Sequence, residues 1–161
     1  MPEPPVINAS PIIHLSRAGH VELLNQLWSR IIVPSTVADE VRAKSRDDVA
    51  AQALDHLSCF EIGPAVPIPP LIASWDLGRG ESAVLAWAVS HAGSLAIIDD
   101  RQGRRCALSL GLPLIGTLAV VLIAKGKGLV PAARPVVEEL IAHGMYLSTQ
   151  VVQEVLALAE E

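Results

Sequence analysis

The sequence has few aromatic residues, with Phe, Trp and Tyr together making up only 3% of its 161 positions. Stacked rings cannot build its interior, so Ala, Val, Leu and Ile must. Its two cysteines, Cys59 and Cys106, stand alone, with no CxxC and no histidine at ligand spacing. They read as reduced core residues of a cytoplasmic protein. There is also no excess of positive charge. The formal net charge is −5, so contact with nucleic acid requires a local basic patch. The opening residues, MPEPPVINAS, put no basic segment ahead of an apolar run, and no signal peptide is expected.

What the chain does have is material for a core. A hydrophobic content of 51% with 18% charged residues argues against disorder. The length suits one domain, residues 1–161, and is short for two. Mean hydropathy is +0.43, and no charge falls between Cys106 and Ala124. Ser109, Gly111, Pro113, Gly116 and Thr117 cut that run into a helix end, a turn, a strand and a new helix. No membrane span is therefore expected.

Short β-branched or apolar runs at 5–8, 30–33, 95–99 and 112–115 alternate with helical patterns. Cys59–Ile62 adds a candidate edge strand. Ser10, just before Pro11, is placed to cap the first helix. Gly19 closes that helix, and Val21–Trp28 begins a second. Ser35 and Thr36 open a helix with Val37 and Val41 on one stripe, followed by another over about 47–57. The segment Gly63–Pro70, with four prolines, reads as a loop. Later helices are expected over about 80–91, 102–110, 117–125 (closed by Gly126), 135–143 and 151–160, with 145–147 extended. Strand and helix in alternation predict an α/β domain: three α/β/α layers around a central parallel sheet of four or five strands.

Residues just after each strand of such a sheet share one edge. Asn8 and Ser10, Asp99 and Asp100, and Gly116 and Thr117 occupy those positions. Glu81, after Gly-Arg-Gly at the start of an apolar helix, and Glu40 lie on helices that can turn toward the same edge. Most of these groups are acids. Two carboxylates about 4 Å apart repel by roughly 4 kcal/mol at an effective dielectric near 20. Such a cluster titrates upward or is neutralised by a cation. With oxygen ligands alone the fitting cation is Mg²⁺ or Mn²⁺, and the chemistry that needs it is phosphoryl transfer or phosphodiester hydrolysis.

The segments VINASPIIHLSRAGHVELL, IIVPSTVADEV, LGRGESAVLAWA and LAIIDDRQGRRCALSLGLPLIGTLAVVLIAKGKGLV, in that order, resemble the PIN-domain proteins over residues 5 to 130. They look closest to the short prokaryotic branch related to VapC-type toxins. The resemblance implies a PIN-like fold, a divalent-metal acidic site, ribonuclease activity, homodimers and, for toxins, a separate antitoxin chain. Carried over by position, Glu40, Glu81 and one of Asp99 and Asp100 match the family's acids. Asn8 stands where the family usually has Asp, so it offers a metal an oxygen without a charge.

Each residue also has a plainer reading. Glu81 suits the dipole of a helix first turn. Glu40 suits an exposed helix face, and Asp99 and Asp100 suit strand-end caps. Neighbours along a strand face opposite ways, so one aspartate is expected at the metal and the other on Arg104, Arg105 or a water; alignment favours Asp100 for the metal. Ser10 and Thr117 are simplest as helix caps, with a contact to phosphate or water as the alternative. Arg79, Arg101, Arg104 and Arg105 flank the acids and are candidates for RNA phosphates. Two functions follow: a metal-dependent ribonuclease using Asn8, Glu40, Glu81, Asp99 and Asp100, or a module that binds RNA or a protein without efficient cleavage.

Overall fold

In the computed structural model, residues 2–44 and 48–161 are described. Five parallel strands form one sheet: β1 (Val6–Ile7), β2 (Ile31–Pro34), β3 (Phe60–Gly63), β4 (Ala96–Ile97) and β5 (Leu114–Ile115). Their order is β3-β2-β1-β4-β5. Val6 pairs with Ile32 on one side and Ala96 on the other, which makes β1 the central strand. Val6, Ile7, Ile31, Val33, Ala96 and Ile97 are fully buried, as expected of strands covered on both faces. β1, β4 and β5 are shorter than the sequence runs suggested, while β2 and the edge strand β3 keep the expected four residues and each begin one residue late.

Helices flank the sheet to give the three-layer α/β/α architecture. The first four are α1 (Ala9–Arg17), α2 (Glu22–Leu27), α3 (Ser35–Lys44) and α4 (Val49–His56). The expected start of α4 near Asp47 lies outside the described residues, and Asp48 caps the helix through Ala50 N–H. Within the proline-rich stretch, Pro70 serves as the first residue of a short helix, α5 (Pro70–Ala73). A proline there gives up an N–H that a helix start leaves unpaired anyway. The remaining helices are α6 (Arg79–Ser90), α7 (Arg101–Ser109), α8 (Thr117–Gly126), α9 (Arg134–Ala142) and α10 (Thr149–Leu158). Helix α6 packs on β1, β2 and β4 and meets α5 and α7, whereas α8 meets α1, α2, α9 and α10.

Three local expectations need correcting. Ser10 does not cap α1: that helix already includes Ala9, Asn8 occupies the capping position, and Ser10 sits half-buried inside the first turn. Gly126 does not stop α8, since Lys127 is the cap and Gly128, at φ +74°, takes the left-handed turn. Residues 145–147 belong to no strand. The uncharged run from Cys106 does break into the end of α7, β5 and α8, and no helix among the described residues is long and apolar enough to cross a membrane. Both cysteines are buried and unbonded, and burial pushes the Cys59 thiol up to about 11. It is an inert core group.

The last helices are tied down by one carboxylate. Glu161 accepts from the backbone N–H of Ala133 (2.6 Å) and Arg134 (3.0 Å), capping α9, and lies 3.0 Å from the Lys125 ammonium of α8. These contacts lower its carboxyl from 4.5 to about 2, the two backbone hydrogen bonds contributing most. Because the folded value is depressed, the stabilisation is complete above the ordinary carboxylate range and is lost as pH falls toward 2. Glu161→Ala should therefore melt below wild type at pH 7, and thermal melts should show the gap closing between pH 4.5 and 2.

Candidate functional site

Because the strands are parallel, the helices that follow them start at one edge of the sheet. Sheet order reverses between β1 and β4, the switch point where open α/β folds hold ligands. Asn8 leaves β1 there, and the Asp99-Asp100 pair follows β4. Asn8 is 2% exposed, and its Nδ2 donates to Glu81 Oε1 at 3.2 Å. A carboxylate only accepts, so this bond fixes which way the amide faces. The other amide atom, Oδ1, is buried with no partner. An unpaired buried acceptor costs roughly 1–3 kcal/mol, which a native structure rarely tolerates without a reason.

Glu40, from α3, comes to the same place. A methyl group added at Gly80 would lie 2.6 Å from Glu40 Oε2 and 3.0 Å from Asn8 Oδ1. Only a glycine in the first turn of α6 lets these two oxygens close over the helix start. The Gly-Arg-Gly before Glu81 thus has a packing reason, and Gly80 is a site residue that the sequence reading did not single out. Its signal was the position: a glycine one residue before the acid. Thr36, Asp39, Glu40, Arg79 and Glu81 line an open cleft here of about 430 Å³.

The two aspartates part company. Asp100 caps α7, its Oδ2 accepting from Gly103 N–H at 2.7 Å. A methyl added at Gly103 would lie 3.4 Å from that oxygen and 3.5 Å from Glu81 Cγ, so Asp100 adjoins the stem of Glu81. Asp99 turns to α8 instead, accepting from Thr117 N–H (2.8 Å) and Thr117 Oγ1 (2.7 Å). Its expected partners were Arg104, Arg105 or a water; Arg104 Nη1 donates to the Ile98 carbonyl at 3.1 Å. Thr117 is fully buried, so its hydroxyl orients Asp99 and does not face solvent. The arginines also divide: Arg79 lies on the Glu40 side, while Arg101, Arg104 and Arg105 line a separate groove with Asp99.

Among the described residues, no three side chains of His, Cys, Asp or Glu stand together as a ready metal cage. The gathered group is two carboxylates, Glu40 and Glu81, and one amide, with Asp100 behind Glu81. That set still fits a hard divalent cation. Every donor is oxygen, and the Oδ1 of Asn8 is buried without a hydrogen-bond partner. Mg²⁺ usually keeps several waters and takes only one or two carboxylates from the protein.

Asn8 changes the electrostatics of the rim. An aspartate facing Glu81 would add a like charge where the amide supplies a donor. Asn8→Asp should therefore lower stability in chelator by about 2 kcal/mol, or roughly 4–8 °C in melting temperature. Added Mn²⁺ should restore most of the loss and raise wild type by a smaller amount. Equal melting of both proteins in chelator would show that Asn8 does not face a charge.

No curated protein matches the chain significantly. A family model described as PIN domain matches residues 4–161. The all-parallel five-stranded sheet and the polar rim at its switch point agree with that match, and the chain belongs to the PIN-domain family, whose fold is of nuclease type.

Proposed function

We propose that this protein, as a single domain over 1–161, is a divalent-metal-dependent ribonuclease that hydrolyses phosphodiester bonds. The observation that carries the reading is the orphaned Oδ1 of Asn8, held beside Glu40 Oε2 over Gly80, with Glu81 bonded to the same amide. Asn8, Glu40 and Glu81 would hold Mg²⁺ or Mn²⁺, with Asp100 supporting Glu81. When bound, such a cation screens the charge of the phosphate and lowers the pKa of water. The chain itself supplies orientation. Asn8 fixes the Glu81 carboxylate, and Asp99 with Thr117 ties the end of β4 to α8. Arg79, exposed on the cleft, is placed to meet a phosphate of the bound strand.

The VapC-type assignment, a toxin role with an antitoxin partner chain, and a homodimer are supported by the resemblance of the four sequence segments. A cytoplasmic location is supported by two cysteines left unpaired. A second reading, an RNA-binding or protein-binding module with weak cleavage, is favoured by one feature. The Asn8–Glu81 bond removes the like-charge repulsion that would otherwise demand a cation.

Single-stranded RNA incubated with Mn²⁺ distinguishes them. For the nuclease, Glu81→Ala should lower the cleavage rate by roughly 100-fold or more, and Asn8→Asp should raise it at limiting Mn²⁺. Cleavage that survives Glu81→Ala would come from a contaminant or another site. RNA bound but uncut by wild type and by Asn8→Asp would leave the binding module.

A further inference from the structure

One side of α7 serves neither the interior nor the acidic rim. Arg101, Arg104, Arg105 and Leu108 recur at the three- and four-residue spacings that share a helix face. All four line a groove of about 840 Å³ that also contains Asp99. Gly103, Cys106 and Ala107 are the residues that the same helix buries. Arg104 is anchored to the Ile98 carbonyl, while the exposed Arg101 and Arg105 have no hydrogen-bond or ion-pair partner among the described residues. The remaining lining is mainly aliphatic. Leu118 of α8, Met145 and Leu147 from the segment before α10, and Val151 of α10 are half-buried along it. Asp99 is the one carboxylate among the described lining residues, and both its oxygens already accept from Thr117. Three guanidinium groups thus stand against one acid, beside an aliphatic surface.

We infer that this groove holds one anionic amphiphile: an aliphatic chain against Leu118, Met145, Leu147 and Val151, with its carboxylate or phosphate head on Arg101 and Arg105. A planar guanidinium pairs with either head group through two parallel hydrogen bonds. Three observations narrow the ligand. Its head is anionic because the groove carries an excess of positive charge, in a chain whose net charge is −5. Its body is aliphatic because Tyr146, 91% exposed, is the single aromatic side chain among the described lining residues. A ring stacked there would have only one face covered. The ligand is a free molecule and not a bilayer surface, because anionic headgroups repel a chain of net negative charge. The groove's volume also falls within the roughly 300–1,000 Å³ of sites that take one small ligand. The inference stands apart from the ribonuclease reading, since none of Asn8, Glu40 and Glu81 lines the groove.

Calorimetric titration in EDTA with sodium dodecanoate, kept below the concentration at which it forms micelles, tests the inference without metal or RNA. One dodecanoate should bind per chain, and affinity should fall about threefold for each methylene removed on going to octanoate. Dodecyltrimethylammonium, with the same chain and the opposite charge, should not bind measurably. Arg101→Ala and Arg105→Ala should each weaken dodecanoate binding about tenfold. Leu108→Glu, at a position 67% exposed, sets a carboxylate among the arginines and should abolish it. Melting temperatures of these three variants, all at exposed positions, check that they fold. Flotation with phosphatidylglycerol vesicles should leave the protein unbound. No binding of dodecanoate, equal affinity for the ammonium amphiphile, affinity independent of chain length, or full binding by the three variants would overturn the inference. So would Arg105-dependent binding to vesicles without binding of monomeric dodecanoate, which would give the groove to a membrane surface. Arg105-dependent docking of an acidic amphipathic peptide, again without dodecanoate binding, would give it to a protein partner and overturn the inference equally.

Discussion

A single hydrogen bond, from the Asn8 amide to the Glu81 carboxylate, joins the central strand to the start of α6 across 73 residues of chain. Everything proposed for the site depends on it. It sets the amide so that Oδ1 is left bare on the side of Glu40, and it gives Glu81 a donor where an aspartate at position 8 would add a like charge. On the proposed reading, an aspartate at position 8 would be a stronger ligand and would cost stability where no cation is bound.

The sheet makes that bond possible. β1 is flanked by β2 and β4, so its C-terminal end opens at the point where connections diverge to either side. Fully buried β-branched strands hold β1 in register, each such side chain contributing roughly 1.5–3 kcal/mol relative to exposure. Helix starts at the same edge explain why the acids gather there: Glu81 lies in the first turn of α6, Asp100 caps α7 and Asp99 binds the first residue of α8. Each acid is satisfied locally by backbone N–H groups or a helix dipole.

Alternation of apolar runs and helical patterns was enough to read the layers and the parallel sheet, because the inner strands β1, β2 and β4 are buried on both faces and carry no competing pattern. Asn8, Glu81 and the aspartate pair were visible as strand ends and a helix start. What stayed hidden was set in three dimensions. Two adjacent aspartates look alike in sequence, and only the seating of α8, with Thr117 under Asp99, gives them different partners. Gly80 was only one glycine of the Gly-Arg-Gly before Glu81, yet Glu40 and Asn8 approach it too closely for a Cβ without a shift. Ser10 had good capping chemistry, but α1 starts one residue earlier, so its hydroxyl falls inside the turn.

A crystal grown with Mn²⁺ and measured at a wavelength where manganese scatters anomalously tests the site most directly. One strong anomalous peak is expected within bonding distance of Asn8 Oδ1, with Glu40 and Glu81 as the carboxylate ligands and waters completing the shell. A peak elsewhere, or none at that position with Mn²⁺ in excess, would contradict it.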